Sequence, residues 1–163
     1  MNLIEDIIRL SQLDEGVALP TETVDLLPLA EEVKALLQPS AEDRNVTITV
    51  SGAGFSVTGV RRMLQELVYN LCDNAIKYNV PGGRVEIHAE NNRLTVRDTG
   101  IGIPPEHQDR IFERFYRVDK SHSKATGGTG LGLSIVKHAV AYHNAKITLA
   151  SVPDKGTTIT IQF

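Results

Sequence analysis

The sequence predicts an α+β fold in two layers, a mixed and mostly antiparallel sheet backed by about three helices, with a long irregular segment late in the chain. Three observations predict it. Apolar and polar residues alternate in "VTITV", "GRVEIHAE", "RLTVRDT", "KITLASV" and "TTITIQF", the period of a half-buried strand. Between these lie segments of helical period, "LAEEVKALLQPSAEDRN", "RRMLQELVYNLCDNAIKYN" and "TGLGLSIVKHAVAYHN". Residues 99–130 follow neither period and are rich in Gly, Pro, Ser, Lys and Arg, and a loop this long inside a compact domain is usually functional or mobile. Helices gathered on one side of such a sheet make a sandwich.

Taken in order, "MNLIEDIIRLSQLDEG" places Leu3, Ile4, Ile7, Ile8 and Leu10 on one stripe of a helix that Gly16 would end. A stripe that wide suits either docking to a partner helix or packing on the chain's own domain. A short strand, "TETVDL", precedes a helix with Pro28 in its first turn and a kink expected at Pro39. "VTITV" and "FSVT" then read as strands with Gly52 and Gly54 as turn residues between them. The long helix spans roughly residues 60–79, and Asn91–Asn92 turns the hairpin that follows. A short helix is expected around Ile111 to Phe115, a last helix begins near the glycines at 127–133, and a hairpin around Gly156 closes the chain.

Composition removes several function classes. At 163 residues and 41% hydrophobic, the chain has the size of one well-packed domain. Its 17 basic and 20 acidic residues are mixed and give a net charge of −3, so there is no basic stripe for nucleic acid. One cysteine, Cys72, excludes an internal disulfide and reads as packing. No apolar run approaches the roughly 20 residues needed to cross a bilayer. The first residues lack a basic flank before an apolar block and so are not a signal peptide. A reducing cytoplasm fits these features.

The chemistry concentrates in three stretches. On the long helix Asn70 and Asn74 lie one turn apart, with Glu66 a turn before and Lys77 and Tyr78 a turn after, while Leu64, Val68, Leu71 and Ala75 fall on another face. A solvated helix face also looks polar, but two mid-helix asparagines cost propensity that Gln or Lys would not. Their carboxamide oxygens suit a hard cation such as Mg²⁺, with Lys77 supplying charge to phosphates. Asp98 ends a strand, and Gly100 and Gly102 after it would let a flat ligand approach without a Cβ in the way, or simply make a turn. "GGTGLGL" leads straight into a helix, where free N–H groups and the helix dipole favour an anion.

Together and in this order, these stretches resemble the catalytic ATP-binding domain of bacterial sensor histidine kinases, within the superfamily that also holds gyrase, the heat-shock chaperone ATPases and MutL. "NLCDNAIKY" resembles the N box, "DTGIGIP" the first glycine box, "RIFERFYRVD" the F box and "GGTGLGLSIVK" the second glycine box. With their flanking strands they cover nearly all of residues 20–163. The resemblance implies a Bergerat-type sandwich with ATP between the helix layer and a mobile lid. It also implies roles. Asp98 would accept a hydrogen bond from the adenine amino group, Asn74 and Asn70 would hold Mg²⁺, and Lys77 and Arg117 would reach phosphates. Tyr78, Gly100, Gly102 and Ile103 would line the nucleoside, and Thr126, Gly128, Gly130, Leu131 and Gly132 would shape the phosphate side. Phe112 and Phe115 would anchor the lid, which also carries Lys120 and Lys124.

The gyrase-like members carry a glutamate one turn before the Mg²⁺ asparagine; here that place is taken by Asn70. An amide cannot take a proton at neutral pH, and Glu66, a further turn away, stays a catalytic candidate that would have to work through water. Slow hydrolysis is therefore expected, with the γ-phosphoryl group kept for a protein nucleophile. None of His88, His107, His122, His138 and His143 stands in the Ser-His-Glu setting of the family's phosphoacceptor, and each reads as a surface or lid histidine. "LIEDIIRLSQLDEG" resembles the end of the family's dimerisation hairpin, so residues 1–16 are expected to be its stump and 17–163 the catalytic domain. The implied partners are that hairpin in a homodimer and a response regulator's receiver domain, with membrane contact only through segments outside this chain. Two other readings compete: a serine kinase of the anti-sigma-factor kind, which lacks an equivalent of "RIFERFYR", and a regulatory module that only binds nucleotide.

Overall fold

The computed structural model describes residues 19–108, 110–112 and 132–163. Strand β1 (Glu22–Asp25) runs directly into helix α1 (Leu26–Asp43), which buries Leu26, Leu29, Ala30, Val33, Leu37 and Ala41 at helical spacing. The helix continues past Pro39, which is exposed. Strands β2 (Thr47–Gly54) and β3 (Ser56–Gly59) follow, then helix α2 (Arg61–Lys77), strands β4 (Arg84–Glu90) and β5 (Arg93–Asp98), helix α3 (Gly132–Tyr142), and strands β6 (Lys146–Val152) and β7 (Gly156–Gln162).

Five strands form one sheet in the order β2-β4-β5-β7-β6, with β2 and β4 parallel and every other pair antiparallel. The expected mixed, mostly antiparallel sheet is thus observed, with three helices on one face among the described residues. Alternation decides which face that is. Val85, Ile87, Leu94, Val96, Ile159 and Ile161 point to the helices and are buried, while Thr47, Thr49, Arg93, Arg97, Lys146 and Thr148 are exposed on the other side. Leu64, Leu67, Val68 and Leu71 of α2 lie against them, each almost without solvent exposure and each worth about 1.5–3 kcal/mol of burial.

The Asn91–Asn92 hairpin turn is present, with φ of 54° and 60°, the left-handed pair that matches the twist of the flanking strands. The reading of Gly52 and Gly54 as turn residues between two strands is corrected. Both lie inside β2, where the register with β4 slips between Ser51 and Gly54, and β3 leaves this sheet to pair with β1 in a separate two-stranded ribbon. The glycines are needed at a bulge: Gly52 has φ +107°, and a Cβ there would sit 2.3 Å from the Ala89 carbonyl oxygen.

Candidate functional site

Helix α2 lies on the sheet with its apolar face inward, which leaves Glu66, Asn70, Asp73, Asn74 and Lys77 together on another face of the helix. Asn70 is buried, 6% exposed, although polar. Its Nδ2 donates to the Glu66 carbonyl at 2.7 Å, which fixes the rotamer and leaves Oδ1 as the outward atom. Gly132, which opens the described part of α3, lies against that oxygen: a Cβ on it would be 3.1 Å from Asn70 Oδ1. Asn74 is half-buried one turn on, and Lys77 pairs with Asp73 at 2.8 Å along the helix. Cys72 is fully buried, and that burial, with the Asp73 charge second, pushes its thiol up and out of reach of nucleophilic chemistry.

At the C-terminal end of α2 the chain meets the turn after β5. Ile101 N donates to the Tyr78 carbonyl at 3.0 Å, and Asp154 N donates to the Ile101 carbonyl at 2.8 Å. The turn is thereby held between the helix end and the β6–β7 hairpin. Asp98 Oδ1 accepts from the backbone N–H of Gly100 at 2.9 Å and of Thr157 at 3.2 Å, while Oδ2 accepts no bond among the described residues. Burial raises the Asp98 pKa, and the two N–H groups offset this only in part. The glycines are required by the turn itself, one of the two uses expected of them. A Cβ at Gly100 would meet the Tyr78 carbonyl oxygen at 2.3 Å, and one at Gly102, where φ is +71°, would meet the Val152 carbonyl oxygen at 2.2 Å. The chain's own backbone occupies the space that a side chain would need.

A helix carrying paired asparagines, a helix start against the first of them, and a half-buried carboxylate beside the helix end are thus gathered around α2. Over residues 59–163 the chain matches the family described as histidine kinase-, DNA gyrase B-, and HSP90-like ATPase. The chain belongs to that family.

This ATPase-family domain has sensor kinases as relatives. The sensor-like histidine kinase SenX3 of Mycolicibacterium smegmatis is 40% identical across 99% of this chain and 44% of its own length. The phosphate regulon sensor protein PhoR of Pseudomonas aeruginosa is 38% identical across 99% of this chain and 37% of its own length. The chain therefore spans less than half of either relative. Among solved structures it is similar to the mycobacterial sensor histidine kinase MprB, with a TM-score of 0.72 and 30% identity over 87% of this chain and 95% of that one. It is also similar to the catalytic domain of histidine kinase ThkA, with a TM-score of 0.75 and 25% identity over 88% and 94% of the two chains.

In this ATPase domain the structure brings Asn70 to Gly132, Tyr78 to Gly100 and Ile101, and Ile103 to β6, where its N–H donates to Ser151 Oγ at 2.8 Å. Glu66 is half-buried, with Arg62 Nε 3.4 Å from its carboxylate. Arg117, Lys120, His122, Lys124, Thr126, Gly128, Gly130, Leu131, Phe115 and the segment 1–16 lie outside the described residues. Sequence reasoning passed over Asp73, although its i,i+4 spacing to Lys77 was legible, and over Ser151 and Thr157, which no local pattern marks. His143, read as a surface histidine, is instead half-buried: Val60 N, at the start of α2, donates to its Nε2 at 3.1 Å, and its Nδ1 is 2.7 Å from the Ala139 carbonyl. It ties the end of α3 to the start of α2.

No described helix is long and apolar enough to cross a membrane, and no described group of three or more His, Cys, Asp and Glu residues could hold a metal ion.

Proposed function

We propose that the chain is the ATP-binding catalytic domain of a cytoplasmic histidine kinase. It would transfer the γ-phosphoryl group of ATP to a histidine on a helix hairpin, from which the group passes to an aspartate of a response regulator's receiver domain. The observation that carries this reading is the meeting of Asn70 Oδ1 with Gly132 on one side of α2, while Asp98, with Oδ2 available, sits at its other end. Family membership and the sensor kinases among the relatives support it. Similarity across 99% of the chain also supports reading residues 1–16 as the end of the hairpin that would join two copies, with membrane contact left to segments beyond this chain.

The roles follow from the atoms. Asp98 Oδ2 accepts from the adenine amino group, and Tyr78 and Ile103 bound the nucleoside. Asn70 and Asn74 offer carboxamide oxygens to Mg²⁺. They fit that ion, because the Asn70 nitrogen is already spent on the Glu66 carbonyl and only its hard oxygen donor remains. When bound, Mg²⁺ neutralises phosphate charge. Lys77 is held near the phosphates by Asp73, and Arg117, Thr126, Gly128, Gly130, Leu131 and Gly132 complete the phosphate side. Asn70 stands where a base would, and its amide cannot take a proton from water, so Glu66, a turn further back, could act only through an intervening water. The acceptor imidazole nitrogen therefore forms the P–N bond as the bond to the β–γ bridging oxygen breaks and ADP leaves.

Calorimetric titration with a non-hydrolysable ATP analogue and Mg²⁺, beside Asp98→Asn, tests the pocket. Binding that the substitution abolishes is expected; binding that survives it removes Asp98 from adenine recognition. Incubation with ATP and a hairpin bearing the acceptor histidine should yield acid-labile phosphohistidine. A chain that binds ATP yet labels no hairpin is a regulatory nucleotide-binding module instead.

A further inference from the structure

Asp98, Thr157 and Ser151 form a polar row across β5, β7 and β6: Asp98 pairs with Thr157 and Thr157 with Ser151 in register, all on the helix-facing side. Thr157 is 8% exposed, and its N–H is already given to Asp98 Oδ1. Its hydroxyl oxygen lies 2.8 Å from Ser151 Oγ. Ser151 Oγ also accepts from Ile103 N at 2.8 Å and lies 3.1 Å from the Gly156 carbonyl oxygen.

A hydroxyl has one hydrogen and two acceptor sites. If Ser151 donates to the Gly156 carbonyl, it accepts from both Ile103 N–H and Thr157 Oγ1–H, and all three contacts are made. If Ser151 donates to Thr157 instead, the Gly156 contact is lost. In a buried polar cluster the arrangement that satisfies every contact wins. It consumes the only hydrogen of Thr157, so Thr157 Oγ1 is left as an acceptor in the same row as the Asp98 carboxylate.

We infer that Ser151 is a positioning residue for base specificity. By taking the Thr157 hydrogen it makes Thr157 a fixed acceptor beside Asp98, so that the row admits a purine with a 6-amino donor and rejects one with a 6-oxo acceptor. The inference rests on Asp98 facing the base, and it goes further by naming the residue that sets the polarity of its neighbour. Without Ser151 the Thr157 hydroxyl rotates freely and donates to a 6-oxo group.

The test is competition of ATP and of inosine triphosphate against a fluorescent ATP analogue on the full chain, for the parent, Ser151→Ala and Ser151→Thr. The two nucleotides differ at position 6. Ser151→Ala should reduce the preference for ATP about tenfold, mostly through tighter inosine triphosphate binding, the scale of one hydrogen bond. Ser151→Thr, which keeps the hydroxyl, should restore it. Equal weakening of both nucleotides by Ser151→Ala would mean a purely structural role and overturn the inference, as would an unchanged ratio. A parent that binds neither nucleotide would instead remove the pocket reading itself. Should Ser151→Ala fail to fold, the isosteric Thr157→Val carries the test, because an unchanged ratio there also overturns the inference.

Discussion

Asp98 combines two demands that conflict at the scale of one residue. Its carboxylate must be ionised to accept from a base, yet its burial makes ionisation costly, and its folded pKa is raised. In the pH interval between its ordinary carboxylate value and that raised value, the native state holds more protons than the unfolded one. Stability therefore falls as pH rises through that interval. Asp98→Asn removes the penalty. We expect its Tm at neutral pH to exceed the parent's, while the two converge at acid pH. Melts of both proteins across pH would check this, and a variant less stable at every pH would contradict it. Asn74→Ala acts differently. It should narrow the ratio of nucleotide affinities with and without Mg²⁺ by at least about tenfold, the scale on which even outer-shell partners of a metal act. Equal affinity with and without Mg²⁺ in the parent would remove the asparagines from any metal role. Both residues were legible in the sequence because each breaks a local rule: Asn70 and Asn74 are poor choices mid-helix, and Asp98 ends an apolar strand. Thr157 breaks none, and its bond to Asp98 spans 59 positions, so only the folded chain reveals it.

At the scale of elements, the start of α3 and the middle of α2 are positioned against each other by Gly132. Alanine there would raise helix propensity, by up to about 0.5–1 kcal/mol, but its Cβ would press on Asn70 Oδ1 at 3.1 Å. The Asn70 amide, tied to the Glu66 carbonyl, has little freedom to yield. Gly132→Ala should therefore keep or slightly raise the Tm while weakening Mg²⁺-nucleotide binding several-fold. Calorimetry and melting on one sample decide it: a lowered Tm with unchanged affinity would mean the contact serves packing alone. Period and turn chemistry made α2, α3 and the β4–β5 hairpin readable, because each depends on neighbours a few residues away. Gly52 and Gly54 misled for the same reason. A glycine at positive φ serves a turn and a bulge equally well, and the difference lies in the Ala89 carbonyl of another strand.

For the whole molecule, the proposal separates binding from turnover. With an amide at Asn70 where a base would stand and without an acceptor hairpin supplied, the chain alone should hydrolyse ATP on the order of 10⁻³ s⁻¹ or slower, the range of a nucleotidase lacking part of its catalytic set. A coupled assay would show this, and rapid release of phosphate would point to a general base that has escaped notice, Glu66 first among the candidates. By itself the sequence determined the layers, the three helices that back the sheet, the first hairpin, the asparagine stripe and the aspartate turn, since these follow from periods of two and 3.6 residues and from what single residue types can do. Tertiary structure alone decided that β2 lies parallel to β4 while β3 departs to β1. It alone decided that Gly100 and Gly102 yield space to backbone, and that Ser151, Thr157 and Asp98 stand in one row. Those facts depend on which distant segments pack together, and packing is settled by the fit of whole surfaces that no local pattern records.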